Sequence, residues 1–195
     1  TGEYHAEIVK KKPNTGIIQI KEKNLDLRKP PDLWLFFSPL GKNRTEWVIE
    51  KATELGVRRI IPVITSRTVK KNVRISRLRT IMIEALEQCG GTYLPDLSDP
   101  ISLSQCLSLW PSNRTLIFCD ESLLRRKDKI TFKKWQKENS FAILIGPEGG
   151  FTNCEKQAIR ENNNTVSISL GPQILRADTA AVAAISILLY INPTV

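Results

Sequence analysis

Ile143-Leu144-Ile145-Gly146-Pro147-Glu148-Gly149-Gly150-Phe151-Thr152-Asn153-Cys154-Glu155 and, downstream, Leu170-Gly171-Pro172-Gln173-Ile174-Leu175-Arg176-Ala177-Asp178-Thr179-Ala180 are two segments of one design. Each is an apolar, strand-like run that breaks at Gly-Pro and ends at a helix start. Two such breaks place two loops at one end of a parallel sheet, the end at which α/β proteins bind ligands. Gly146, Gly149 and Gly150 let backbone approach a ligand closely. Thr152 and Glu155 have the spacing of a capping box, so a helix starts directly after the first loop. A tight strand–helix turn needs only two glycines; Pro147-Glu148 between them is extra and points to a shaped pocket. In the second segment, Arg176 and Asp178 stand just before an apolar helix over 179–191, where charges need partners or a task. The alternative for those two is a structural Arg–Asp pair capping the helix.

Strand 141–145 delivers the chain to the first loop, and Thr115–Cys119 is a buried strand running into Asp120-Glu121. Upstream, Leu33–Phe37 is a continuous apolar strand. Helix 44–55 follows, with Asn43 and Glu46 spaced as a capping box, Val48, Ile49, Ala52 and Leu55 on one face, and Gly56 as its stop. Arg59–Thr65 is the next strand, and Pro62 places part of it at an edge or bulge. A helix over 74–89 buries Ile75, Leu78, Ile81, Met82, Ala85 and Leu86. Residues 94–111 read as loop plus a short helix around 102–109. Alternating strands and helices from residue 33 onward are the signature of a parallel α/β sheet.

Before that, Tyr4, Ala6 and Ile8 alternate with polar residues, and Pro13-Asn14-Thr15-Gly16 turns the chain into Ile17–Ile20, a β-hairpin. Two strands are too few to stand alone. Residues 1–22 therefore read as the remnant of a small β domain whose earlier strands are missing. Residues 23–32, closing in Pro30-Pro31, read as a linker, and 33–195 as the α/β domain.

The chain of 195 residues is 41% hydrophobic, enough for a real core, and carries a formal charge of +9, which favours a polyanionic partner such as nucleic acid. Arg67, Lys70, Lys71, Arg74, Arg77 and Arg79 follow one another without an intervening acid. They are either a solvated helix face or a phosphate-contacting surface. A second basic stretch holds Arg125, Arg126, Lys127, Lys129, Lys133, Lys134 and Lys137. Cys89, Cys106, Cys119 and Cys154 are scattered and His5 is the only histidine, so no metal site is expected. The cysteines read as small buried residues in a reducing cytosol. No secretory signal opens the chain. The longest apolar run, Ala180–Ile191, is short of the roughly 20 residues that span a bilayer. A cytoplasmic location away from membranes is expected. There is no dinucleotide-binding or P-loop fingerprint, and a lone histidine leaves nothing for a Ser-His-Asp arrangement.

The combination of Gly146-Pro147-Glu148-Gly149-Gly150-Phe151-Thr152 ending in Glu155 with Leu170-Gly171-Pro172 and Ile174-Leu175-Arg176 before Asp178-Thr179-Ala180 is specific. It resembles the RsmE family of SPOUT-class methyltransferases, which make N3-methyluridine in small-subunit (16S) ribosomal RNA from S-adenosylmethionine. The resemblance extends to Glu46-Trp47, Lys51 through Val57, Ile61-Pro62-Val63 and Glu87-Gln88-Cys89, and so covers residues 33–191. Departures are Gly91, where the family usually carries an arginine, and Gln173 in place of a common basic residue.

The resemblance implies a parallel sheet whose C-terminal part is tied in a deep trefoil knot, preceded by a partial PUA-like β-barrel. It implies a homodimer acting on ribosomal RNA or the small ribosomal subunit. It places S-adenosylmethionine against three loops, after strand 115–119, at Gly146 to Gly150 and at Leu170 to Leu175, with Ile117, Phe118, Ile145, Gly146, Gly149, Gly150, Leu170, Gly171, Ile174, Leu175 and Thr179 as the contact candidates. Arg176 would stabilise a uracil anion, and Glu148 or Asp178 would accept the N3 proton. Arg67, Lys70, Lys71, Arg74 and Arg77 are the RNA-binding candidates. Methylation of another target atom, such as a ribose 2′-oxygen, and a non-catalytic RNA-binding role remain the alternatives.

Overall fold

The computed structural model describes residues 2–123 and 140–191. Its centre is a parallel sheet in the order β5-β4-β3-β8-β7-β9, with β6 also pairing with β4. The strands are β3 (Asp32–Phe37), β4 (Arg59–Ile64), β5 (Asp96–Leu97), β6 (Ile101–Ser102), β7 (Thr115–Cys119), β8 (Ser140–Ile145) and β9 (Thr165–Ile168). A separate antiparallel hairpin of β1 (Gly2–Lys11) and β2 (Gly16–Asp26) precedes it.

Both faces of the sheet are covered, which explains why its strands read as unbroken apolar runs. The period-two alternation divides each strand between two cores. Phe141, Ile143 and Ile145 of β8 join helices α1 (Lys42–Glu54), α2 (Ile75–Cys89) and α5 (Ala177–Ile191) on one side. Ala142 and Leu144 face α3 (Leu103–Ser108) and α4 (Asn153–Glu161) on the other.

Several expectations need correction. Strand β2 runs on to Asp26, so the span read as a linker from residue 23 begins inside a strand. Asn43 and Glu46 do not cap α1: the helix starts at Lys42 after Gly41, which has no side-chain cap. Thr45 takes over instead. Its hydroxyl accepts from the Leu40 amide at 2.9 Å and donates to the Leu40 carbonyl at 3.1 Å. Although β4 is an inner strand, Pro62 pairs only with Phe37 of β3, so the ladder break expected of it is local rather than a sheet edge. It falls where β4 changes partner, between its β5 pairing at Arg59 and Ile60 and its β6 pairing at Val63 and Ile64. A residue without an N–H is tolerated there. Those two short strands also lie in what reads as loop. Ile75 and Leu86 are only half-buried, and Ile168, not Leu170, ends the last strand. Cys89 and Cys154 are exposed, whereas Cys106 is buried.

The amino edge of the sheet is held by a polar cluster that the residue pattern did not reveal. The buried Arg114 donates to the Asp32 carboxylate at 2.6 Å, the Asp32 carbonyl at 2.9 Å and the Phe141 carbonyl at 3.0 Å. Its guanidinium lies 3.7 Å from the centroid of Trp34. Ser140 and the Trp34 indole N–H complete the Asp32 carboxylate. Burial disfavours ionisation of Asp32, but the bonds from Arg114 and Ser140 and the charges of Arg114 and Arg58 outweigh it and hold the carboxyl below its ordinary value. One edge of the sheet is thus built for stability, leaving the carboxyl edge for a site.

Candidate functional site

At the carboxyl edge a cavity of ≈ 520 Å³ opens over adjacent strands β8, β7 and β9. Three loops wall it: Cys119–Glu121 after β7, Ile145–Phe151 after β8, and Ser169–Ala177 after β9. Arg44 of α1 and Ala180 of α5 close the sides. The volume lies within the roughly 300–1,000 Å³ of small-molecule sites.

The first loop is fixed by its own residues. The Gly150 amide donates to the Pro147 carbonyl at 2.8 Å, and Gly150 has φ +66°, which favours glycine. Gly146 is needed for a different reason: a Cβ there would stand 2.6 Å from the Phe151 ring. The loop ends in the expected capping box, with Glu155 N donating to Thr152 Oγ1 at 3.2 Å and Thr152 N to Glu155 Oε2 at 2.8 Å. The other oxygen of Glu155 accepts from Ser66 N at 2.7 Å, and Arg67 donates to the Gly149 carbonyl at 2.7 Å. The segment after β4 therefore braces the glycine loop.

The loop after β7 is held from beneath. Fully buried Asp120 accepts from Arg160 Nη2 at 2.5 Å and from the Ser122 amide and hydroxyl at 3.0 and 2.7 Å. Burial alone would raise its pKa; these bonds more than offset that and keep the carboxyl below its ordinary value. Glu155 behaves in the same way, with burial opposed by Ser66 and Thr152. Glu121 lines the cavity and pairs with Lys156 at 2.7 Å. Burial pushes the Cys119 thiol up to about 12, so it is a neutral wall of the cavity.

The charged groups around the cavity are arranged by Arg44, which sequence reading missed. Its Nη1 lies 2.5 Å from Glu148 Oε1 and its Nε 3.9 Å from Asp178 Oδ2. One cation of α1 thus bridges the glycine loop and the start of α5. Asp178 pairs with Arg44 rather than with Arg176. The exposed Arg176 guanidinium lines the cavity with no ion-pair partner among the described residues.

Of the candidates, Ile145, Gly146, Glu148, Gly149, Gly150, Leu170, Ile174, Leu175 and Arg176 line this one cavity. Ile117 and Phe118 do not: both have no exposed surface and point into the two cores, and the loop that follows them supplies the wall. Gly171, Asp178 and Thr179 are outside the lining, with Asp178 joined to it through Arg44.

Lys70, Arg74 and Arg77 line a second cavity, whereas Arg67 reaches the glycine loop and Lys71 is exposed outside both linings. The basic stretch 125–137 lies outside the described residues. An arginine at position 91 would not fit unaltered, since a Cβ on Gly91 meets Leu86 Cδ1 at 2.5 Å. Among the described residues no group of His, Cys, Asp and Glu converges as metal ligands, and no helix is long and apolar enough to cross a membrane.

Fold and site define a class: a parallel α/β domain that holds a small molecule between glycine-containing loops at the carboxyl ends of three adjacent strands. Comparison with known proteins narrows it. The family model described as an RNA methyltransferase domain matches residues 28–189. Ribosomal RNA small subunit methyltransferase E of Rickettsia conorii is 33% identical over 188 residues, 95% of this chain and 75% of the relative. That of Aquifex aeolicus is 30% identical over 171 residues, 85% and 72% of the two chains. Among solved structures, the Neisseria gonorrhoeae ribosomal RNA small subunit methyltransferase E bound to S-adenosyl methionine superposes with a TM-score of 0.85 at 26% identity, covering 97% of this chain and 78% of that one. A Legionella pneumophila methyltransferase with bound cofactor gives the same score and coverage at 28% identity. The chain belongs to the ribosomal RNA small subunit methyltransferase E (RsmE) family.

Proposed function

We propose that this chain transfers the methyl group of S-adenosylmethionine to N3 of a uridine in small-subunit ribosomal RNA. The observation that carries this is the single cavity into which the glycine loop, the 169–177 loop and Arg176 all open, in a chain of this family. The cofactor fits the residues present. Ile145, Leu170, Ile174, Leu175 and Ala180 offer an apolar face for adenine, and Gly146, with room for no Cβ, leaves backbone bare beside it. Glu121 offers a carboxylate for ribose hydroxyls. Asp120 is engaged by Arg160 and serves to hold that loop.

When bound, the cofactor supplies an electrophilic methyl carbon. The chain's own contribution is alignment of nucleophile and methyl group, and management of one proton. Glu148, held by Arg44, accepts the N3 proton, with Asp178 on the same arginine as the second candidate. Arg176 stabilises the charge that develops on the uracil oxygens. Arg67, Lys70, Lys71, Arg74 and Arg77 contact the RNA backbone.

The proposal includes a trefoil knot, a cytoplasmic homodimer and a PUA-like origin for the hairpin. Supporting the knot, β9 pairs with β7 at one side of the sheet while α5, which follows it, packs back on α1 and β8. Supporting the barrel, Ile8, Val9, Ile17, Ile18 and Ile20 of the hairpin are more than half exposed.

The direct test is Arg176→Ala. Its kcat on ribosomal RNA is expected to fall on the order of 100-fold, with S-adenosylmethionine affinity by calorimetry near that of the parent chain. Undiminished methylation by this variant would remove Arg176 from the mechanism.

A further inference from the structure

The second cavity, ≈ 570 Å³, shares the first turn of α1 with the cofactor cleft: Arg44 lines one, and Lys42, Thr45 and Glu46 line the other. Its inner wall is apolar, made of buried Pro39, Leu40 and Leu78 with half-buried Val73. Its rim carries Lys42, Lys70, Arg74 and Arg77, all exposed. Glu46 is the only acid among the described residues of the lining, and it is matched by Arg77 at 3.4 Å. Lys42, Lys70 and Arg74 have no carboxylate partner among the described residues. An apolar recess under a ring of unneutralised cations complements a group that is flat and weakly polar at one end and anionic at the other. A nucleotide is such a group.

We propose that this cavity receives an unpaired nucleotide of the substrate RNA strand adjacent to the target, its base against Val73 and Leu78 and its two flanking phosphates on Lys70, Arg74 and Lys42. This rests on the reading of RNA as substrate. The occupant is a strand rather than a free nucleotide because the two cavities meet at one ridge, made of the first turn of α1 and the segment after β4. Arg44 lies at the cleft, and Arg67 on the segment that supplies Lys70, Asn72 and Val73 is bonded to the Gly149 carbonyl of the cleft loop. A strand with its target base in the cleft passes over that ridge and carries a neighbouring base to the recess. The pocket adds base contacts to what phosphate binding alone supplies, and makes recognition depend on an unstacked neighbour.

The test uses the full chain and fluorescein-labelled oligouridylate, with anisotropy read over a series of salt concentrations. Lys70→Ala/Arg74→Ala is expected to weaken binding about tenfold and to lower the slope of log affinity against log salt by about 1.4, two single-strand phosphate contacts. Val73→Trp keeps every charge and fills the recess. The parent chain is expected to prefer oligouridylate over an oligomer of the same length bearing abasic residues, and Val73→Trp to lose that preference. S-adenosylmethionine binding by calorimetry should be unchanged in both variants, which reports that they are folded. Binding by the double variant within twofold of the parent overturns the proposal, as does a base preference that survives Val73→Trp. A changed sedimentation coefficient with unchanged RNA binding also overturns it, by showing that a second copy of the chain covers the cavity. A parent chain that binds RNA through this recess and yields no methylated product refutes the catalytic reading instead.

Discussion

Gly146→Ala acts on the site through one methyl group, which drives the glycine loop away from the Phe151 ring. The added Cβ would stand 2.6 Å from Phe151 Cε2, 3.0 Å from Cδ2 and 3.2 Å from Cζ. Carbon atoms rest at about 3.5–4.0 Å, so ring and backbone must separate by about 1 Å. The ring has nowhere to go: Phe151 is 3% exposed and packs edge-on against Phe118 at 5.4 Å, itself without exposed surface. The glycine loop therefore moves. Overpacking of this kind costs about 1–3 kcal/mol, a fall in melting temperature of about 2–12 °C for a chain of this size. Misplacing a reacting group by about 1 Å costs on the order of 100-fold in rate. Thermal unfolding and single-turnover methylation measure the two effects. Phe151→Leu in the same chain relieves the clash, so the double variant should be less destabilised than the sum of the singles by about 1 kcal/mol. An unchanged melting temperature and rate in Gly146→Ala would show that the loop does not have the geometry described.

Other outcomes follow from the polar clusters. Asp32→Ala strands the Arg114 guanidinium, 6% exposed, at the amino edge and should destabilise the chain by about 3 kcal/mol in denaturant unfolding. Affinity for S-adenosylmethionine should survive, since the cleft is at the other edge. Asp120 is held below its ordinary pKa in the folded chain, so its contribution to stability is complete above the unfolded value near 4 and is lost as pH falls through and below it. The stability difference between the parent and Asp120→Asn should accordingly be level from pH 8 to about 5 and shrink below about 4.

Much of the fold was legible because the sheet is buried on both faces. Runs such as Phe141–Ile145 have one reading when helices flank them, and the Gly-Pro breaks after them locate the cleft. The errors have local causes. The loop after β7 lines the cavity as expected, but through Cys119–Glu121, because the alternation that makes a strand commits Ile117 and Phe118 to the two cores. At α1 the Asn43–Glu46 spacing fits a capping box, but the Thr45 hydroxyl bonds to Leu40 and starts the helix earlier. Strands β5 and β6 are two residues each, too short to show a period. What stayed hidden were partnerships between distant segments. Arg44 and Glu148 are 104 positions apart, and Arg114 and Asp32 are 82 apart. No spacing rule connects such residues; only the sheet order brings them together.

A cleft that delivers a methyl group to N3 of uridine leaves its mark in the nucleosides of its substrate. That mark is read by nucleoside mass spectrometry of ribosomal RNA from small subunits lacking the modification, incubated with the full chain and methyl-labelled S-adenosylmethionine. Label is expected in 3-methyluridine at a single position, entering on the order of 100-fold more slowly when Arg176→Ala replaces the parent chain. Label in a 2′-O-methylated nucleoside or another base, or none despite cofactor binding, would contradict delivery to N3.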